Sequence, residues 1–510
     1  MGRLTKVTLL IATFFAFDKA MALLRQIIIA RQFSLSAELD AFNVANNIPD
    51  LLYAVISGGA LAIAFIPVLS GVLTQEGRGK AWELFSRIAN LAFLVTGAIS
   101  IVIALLADVM VRSEVGIAPG FGPEQQALVT EMMRLNLVAT MIFSISGLVS
   151  ASLQANQHFL LPAAAPVLYN VGQIFGALIL APDKGYRIAG FVLPALGLGV
   201  KGLVYGVIAG ALLHLLIQVP GMIKYNFRWI PSLGLDRPEV QKVLRLMGPR
   251  LLTMLCMQLI FIVRDNLASR LASGAVSALA YGWMIQQVPE TLIGTAIGTA
   301  LLPTLSEMVA LDERQKFKET IEKALKILIA LTIPIAVVMS VGLKPLAAYA
   351  FKFDAAGTEL LMWVTRGYLL GLTGHTLLEL SARSFYAQQK PYFPLIGAVI
   401  NLAIYVGLGY FLYQPLGAAG ISVTDSVAFT LQGLFLLFFL NKKFVEKMNV
   451  SSTLFRSVIA AVVGGGITFL IAFLIPGSIA SVIIGLVSLS VGMLAVLPFI
   501  FPELRIWLRL

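Results

Sequence analysis

The stretch DKAMALLRQIIIARQF, Asp18 to Phe33, sets four charges (Asp18, Lys19, Arg25 and Arg31) among apolar residues near the start of the chain. Asp18 and Arg25 are seven residues apart, as are Lys19 and Gln26, so at helical period they form two neighbouring stripes on one face. A second segment carries Asp40, Asn43, Asn46, Asn47 and Asp50 at spacings of three or four, and a third carries the adjacent pair Arg264 and Asp265. Arginine presents a planar fork of donors and lysine a compact point charge, a combination suited to phosphate or carboxylate oxygens. The expected chemistry is therefore binding of an anion. The expected contacts are Asp18, Lys19, Arg25, Gln26, Asp40, Asn47 and Arg264.

Each of these has a structural alternative. Asp18 with Lys19 or Arg25 could be a buried ion pair that stabilises a bundle. Asp40 could be an acid at a helix start, favoured there by the dipole and the open amides. Arg31 and Arg270 suit a membrane interface, where long side chains reach water.

The surroundings decide what holds these residues. The 510-residue chain is 58% hydrophobic and 12% charged, with mean hydropathy +0.89, whereas soluble proteins are about 25% charged. Runs such as Leu91 to Val111 are long enough for a hydrocarbon core, which takes roughly 20 helical residues. No alternating barrel pattern is present, so the fold class is an all-α polytopic membrane protein. In such a bilayer a central charge costs at least about 2.5–3.5 kcal/mol on insertion scales, which is why it faces a cavity or a partner.

Composition also excludes. Cys256 is the only cysteine, so neither an intramolecular disulfide nor a cysteine metal site is expected. His158, His214 and His375 are scattered, and no metal site and no enzyme activity are expected. The net charge of +11 is accounted for by cytoplasmic loops rather than by nucleic acid. No G-x-x-x-x-G-K-[ST] motif occurs, so the driving force should be an ion gradient, the membrane potential or the substrate gradient. The first segment does not read as a cleavable signal peptide.

Hydrophobic runs give about fourteen spans, among them 7–33, 40–73, 241–271, 275–309, 358–388, 392–413 and 418–441. Basic residues gather in alternate connections, such as Arg78, Lys80 and Arg87, or Arg314, Lys316 and Lys318, which puts both termini in the cytoplasm. The chain also repeats. Leu23 to Phe33 aligns with Ile262 to Ala272, each with two arginines six residues apart. Ile48 to Ser70 aligns with Val288 to Ser306, sharing a proline–acid pair and a closing P-x-L-S. Ala151 to Pro162 aligns with Arg383 to Pro394, and Asn170 and Asn401 follow. Span n matches span n+6, so the expected domains are an N-lobe at 1–225, a C-lobe at 226–445 and two further spans at 446–510. Parallel repeats of this kind favour a carrier with a site near the midplane. Asn401 and Asp425, on spans 11 and 12, are candidates for Na⁺ or proton coupling, with a hydrogen-bonded structural aspartate as the alternative. No other cofactor is expected.

LLRQIIIARQF followed by LDAFNVANNIPDLLYAVISGGALAIAFIPVLS resembles the opening of the MurJ/MviN family of lipid II flippases, in the MOP exporter superfamily. GTAIGTALLPTLSEM and SFYAQQKPYFPLIGAVIN resemble later spans of that family. The resemblance implies two six-helix lobes plus two C-terminal helices, a bacterial inner-membrane location and a cationic cavity. It further implies an anionic polyprenyl-pyrophosphate lipid as substrate, its tail received near spans 13 and 14. No oligomeric state is implied, and a monomer suffices. Arg25 and Asp40 match family positions, and Lys19 keeps a charge where the family has arginine. Tyr53, Gly58 and Met284 depart from the family's arginine, glutamate and arginine. Those departures leave two alternatives: export of another polyprenyl-linked oligosaccharide, or a scaffold that no longer transports.

Overall fold

The computed structural model describes residues 3–54, 60–188, 190–442, 444–474 and 481–507. Gly58, one of the departures above, lies outside them. The described chain is helical apart from one short hairpin, Arg187–Ile188 against Phe191–Val192.

Two compact units divide it, Met1–Arg270 and Leu271–Leu510. The first contains α1 (Arg3–Phe33), α2 (Ala37–Tyr53), α3 (Ala60–Gln75), α4 (Arg78–Arg112), α5 (Pro123–Ala155), α6 (Leu160–Phe175), α7 (Lys201–Leu216), α8 (Val219–Lys224) and α9 (Pro238–Ser269). The second contains α10 (Ala275–Glu290), α11 (Ala296–Ala310), α12 (Arg314–Gly342), α13 (Lys344–Phe351), α14 (Ala355–Leu370), α15 (Leu372–Ala387), α16 (Tyr392–Lys442), α17 (Ser451–Leu474) and α18 (Ser481–Trp507).

Among the described residues nine helices are long and apolar enough to cross a membrane. Side chains such as Leu105 (76% exposed) and Phe411 (74%) would be a liability in water and are at home against lipid. One of the nine, α16, is two helices in series. Pro415 and Gly417, at φ +58°, interrupt it at the expected break between 392–413 and 418–441. Helices α1, α2 with α3, α9, and α14 with α15 overlap the sequence segments 7–33, 40–73, 241–271 and 358–388.

Local chemistry accounts for the elements that matter here. Ser36 caps α2, accepting from the Leu39 amide at 3.3 Å, and the acids Glu38 and Asp40 follow in the first turn. Asp40 is 1% exposed, so the helix-start reading describes its place in the fold. In the first unit α1 packs on α6, α2 on α5, and α9 on α2 and α3. Helix α6 meets α7 along glycines: a Cβ on Gly176 would lie 2.6 Å from the Gly206 Cα, and one on Gly206 2.8 Å from the Gly176 Cα. Small residues let backbones approach closely, as lipid-embedded helices require. In the second unit α15 packs on α16 and α12, and α17 and α18 pack on α12.

Candidate functional site

The expected polar residues of the first unit are drawn into a chain across four helices. On α1, Asp18 and Arg25 are separated by two helical turns, about 10 Å of rise. Asn170 of α6 bridges them. Its amide nitrogen donates to Asp18 Oδ1 at 2.8 Å, and its Oδ1 accepts from Arg25 Nη1 at 2.9 Å. Asn170 is 3% exposed and is held in place by the close α6–α7 packing.

On α9, Arg264 Nε donates to Asp265 Oδ1 at 2.7 Å, and the guanidinium lies 5.0 Å above the Phe261 ring. Asp265 is fully buried and its other oxygen accepts from Asn47 of α2. One turn further along α2 is Asp50, within electrostatic range of Arg25. Asn47 and Asp50, three residues apart, share a face, so α2 connects the Arg264–Asp265 pair to Arg25. Tyr53 and Tyr169 flank Asp50 and Arg25. Phe143 packs against both rings, with centroids 5.1 and 5.2 Å away. On the second line of α2, Asn46 accepts from Asn136 of α5 at 2.8 Å.

The α9 end is pinned as well. Asn266 donates to the Glu114 and Gly116 carbonyls at 2.9 and 2.6 Å, and Arg270 pairs with Glu114 at 2.8 Å. Arg270 is thereby a fastening for the loop after α4. Arg31 is exposed at the end of α1.

Of the seven expected contacts, Asp18, Arg25, Asn47 and Arg264 belong to this network. Lys19 is exposed, its ammonium 5.4 Å from the Phe15 ring, and Gln26 is half-buried. Asp40 sits at the α2 start. Asn170 and Tyr169 are not among the residues expected from the sequence, and Asp50 is expected only as part of the polar stripe of α2. The available signals were the repeat, which had aligned Asn170 with Asn401, and the shared proline–acid pair, which contains Asp50.

Five charged side chains belong to the network, Arg25 and Arg264 with Asp18, Asp50 and Asp265, and Lys19 lies outside it on the exposed side of α1. Arg25 Nη1 is bonded to the Asn170 amide oxygen and the guanidinium lies within electrostatic range of Asp50, whereas Arg264 Nε is bonded to the Asp265 carboxylate.

In the second unit Asn401 and Asp425 take different partners. Asn401 donates to Gln432 at 2.7 Å, whereas Asp425 meets His375 Nε2 at 3.0 Å. Among the described residues no group of three or more His, Cys, Asp and Glu could hold a metal ion. Met284 is half-buried on α10 beside Trp283.

Comparison with known proteins gives one answer. Residues 29–488 match the family described as lipid II flippase MurJ. A Burkholderia cenocepacia protein named lipid II flippase MurJ is 31% identical over 452 residues, 86% of this chain and 84% of that one. A probable lipid II flippase MurJ of Thermotoga maritima is 24% identical over 94% of this chain and 93% of its own length. Among solved structures, a lipid II flippase MurJ in an inward closed conformation superposes with TM-score 0.76 at 19% identity, covering 96% of this chain and 98% of that one. A multidrug resistance MATE family transporter of the MOP superfamily, inward-facing, gives TM-score 0.69 at 17% identity over 83% of this chain and 93% of its own.

Proposed function

This chain belongs to the MurJ family of lipid II flippases, and from that premise we propose that it carries lipid II from the inner to the outer leaflet by alternating access. It is a multi-pass protein of the bacterial inner membrane, a carrier and not an enzyme, with a lipid-linked substrate. The basic loops support a topology of fourteen spans with both termini in the cytoplasm.

The observation that carries the reading is the polar chain Arg264–Asp265–Asn47 and Asp50–Arg25–Asn170–Asp18, built on helices that are otherwise apolar. Hydrocarbon offers nothing to a pyrophosphate. Arg25, held at a fixed height by Asn170, offers a fork of donors, and Lys19 adds a point charge. Asp18 and Asp50 balance the site when it is empty, so the cations stay in place rather than swinging towards an interface. The lipid tail, which has no polar demand, stays outside against apolar helix faces. With no nucleotide motif in the chain, the drive is an ion gradient, the membrane potential or the substrate gradient, and Asn401 and Asp425 are candidates for Na⁺ or proton coupling. The alternatives raised by Tyr53, Gly58 and Met284, another polyprenyl-linked oligosaccharide or a scaffold, have only those three substitutions in their favour.

Complementation of a conditional flippase-depleted bacterium, scored with lipid II accessibility on the outer face, tests the function. Growth with restored accessibility is expected. A well-expressed protein that restores neither would overturn the reading.

A further inference from the structure

The second unit holds a buried polar pair outside the anion site. His375 of α15 and Asp425 of α16 meet at 3.0 Å, with side chains 7% and 6% exposed. Their enclosure is aromatic. The Phe429 ring stacks on the imidazole at 4.1 Å, and Trp283 of α10 lies 5.4 Å away, itself 5.5 Å from Tyr368 of α14. On α12 the Thr332 hydroxyl bonds the Thr373 hydroxyl of α15, two residues before His375, at 2.9 Å.

One side of the pair leads outward. Glu379 follows His375 by one turn on α15, and Glu290, at the end of α10, is within electrostatic range of both. Glu379 is paired with Arg383 at 2.9 Å and is 37% exposed. Glu290 accepts from Thr295 at 3.2 Å and Thr291 at 3.4 Å, both on the π-helical turn Thr291–Thr295. Such turns within helices are frequent at functional sites.

We propose that His375 and Asp425 form a proton-binding site, reached through Glu379 and Glu290, whose loading and emptying is coupled to transport. This rests on the carrier reading above and selects the proton over Na⁺, because an imidazole, a poor ligand for Na⁺, already occupies the Asp425 oxygen. Charge counting supplies the coupling. With one proton between them the pair is neutral overall, whichever ring tautomer is drawn. Without it a net negative charge is left against Trp283 and Phe429, and a buried charge that loses its compensation costs free energy. Emptying therefore requires water or a cation to enter, which means that the packing of α10, α15 and α16 must open. A proton enters from water through the Glu379 and Glu290 carboxyl groups, reaches the imidazole, and crosses the 3.0 Å gap to Asp425.

The test uses the full-length protein in liposomes containing lipid II and a trapped pH-sensitive dye. For the wild type, an imposed pH gradient should change the flipping rate several-fold, and adding lipid II should move protons. His375→Gln and Asp425→Asn should abolish both responses while lipid II still binds. Glu379→Gln, at a half-exposed position, should slow proton movement and covers the case in which the buried variants fail to fold. Flipping in the wild type that ignores the pH gradient, or follows a Na⁺ gradient instead, overturns the proton site and leaves the flippase reading standing. A wild type that binds and flips no lipid II overturns the flippase reading itself.

Discussion

Asn170 is one small side chain on which two charges depend, so its removal has a calculable effect. It bonds Asp18 at 2.8 Å and Arg25 at 2.9 Å, and those two residues are too far apart along α1 to replace it easily with a direct pair. Hydrogen bonds to charged groups contribute about 1.5–3 kcal/mol each in water-soluble proteins. Inside bilayers interhelical bonds average about 0.6 and reach about 1.7 kcal/mol, because the unfolded reference also finds partners. Two contacts to charged groups at the upper end of that range give about 2–3 kcal/mol for Asn170→Ala. If half of this falls on the orientation of Arg25, lipid II affinity drops roughly tenfold, since about 1.4 kcal/mol is a factor of ten. Asn170→Asp should be worse for binding: the new carboxylate would pair with Arg25, compete with the phosphate and repel Asp18. The assay is lipid II binding to purified protein, with thermal unfolding in the same detergent as control. Wild-type affinity in both variants, with unfolding unchanged, would refute the bridging role of Asn170.

Other consequences are equally direct. Gly206→Leu should separate α6 from α7 and lower the folded yield sharply, because the added Cβ alone would lie 2.8 Å from the Gly176 Cα; size-exclusion recovery measures this, and normal recovery would contradict the close packing. His158, in the loop between α5 and α6, is held below its ordinary value of 6.5, chiefly by burial and next by the charge of Lys224. A depressed histidine favours the fold in its neutral form, so its contribution is present above that ordinary value and is lost as pH falls below it. Histidine NMR should find the His158 midpoint below 6.5, and Lys224→Gln should raise it.

Much of this was legible in the residues themselves. The stripes Asp18/Arg25 and Lys19/Gln26 needed only helical period, and the expense of charge in lipid made them conspicuous. The break near Gly417 followed from Pro415 and a glycine between two apolar runs. What the sequence could not show was partner choice. Arg264 pairs with its own neighbour Asp265, and only the packing of α9 on α2 brings Asn47 to the same carboxylate. Asp425 was visible as an isolated acid, but His375 is fifty residues away and joined to it only by the contact of α15 with α16. Asn170 looked like a repeat marker, since nothing local distinguishes a bridging asparagine from a packing one. Tertiary contact decides each of these cases.

Lipid II binding and flipping by Arg25→Ala, Arg25→Lys and Arg264→Ala, reconstituted at matched protein levels, is the most direct measurement of the anion site. Truncating one charged partner of a desolvated contact typically costs about 2–5 kcal/mol. Arg25→Ala should therefore lose binding and flipping while still reaching the membrane, and Arg25→Lys should recover only part, because the fork is gone. Arg264→Ala should weaken binding less, its guanidinium being engaged by Asp265. Normal binding and flipping by Arg25→Ala would mean that the charges of α1 are structural and that lipid II is received elsewhere.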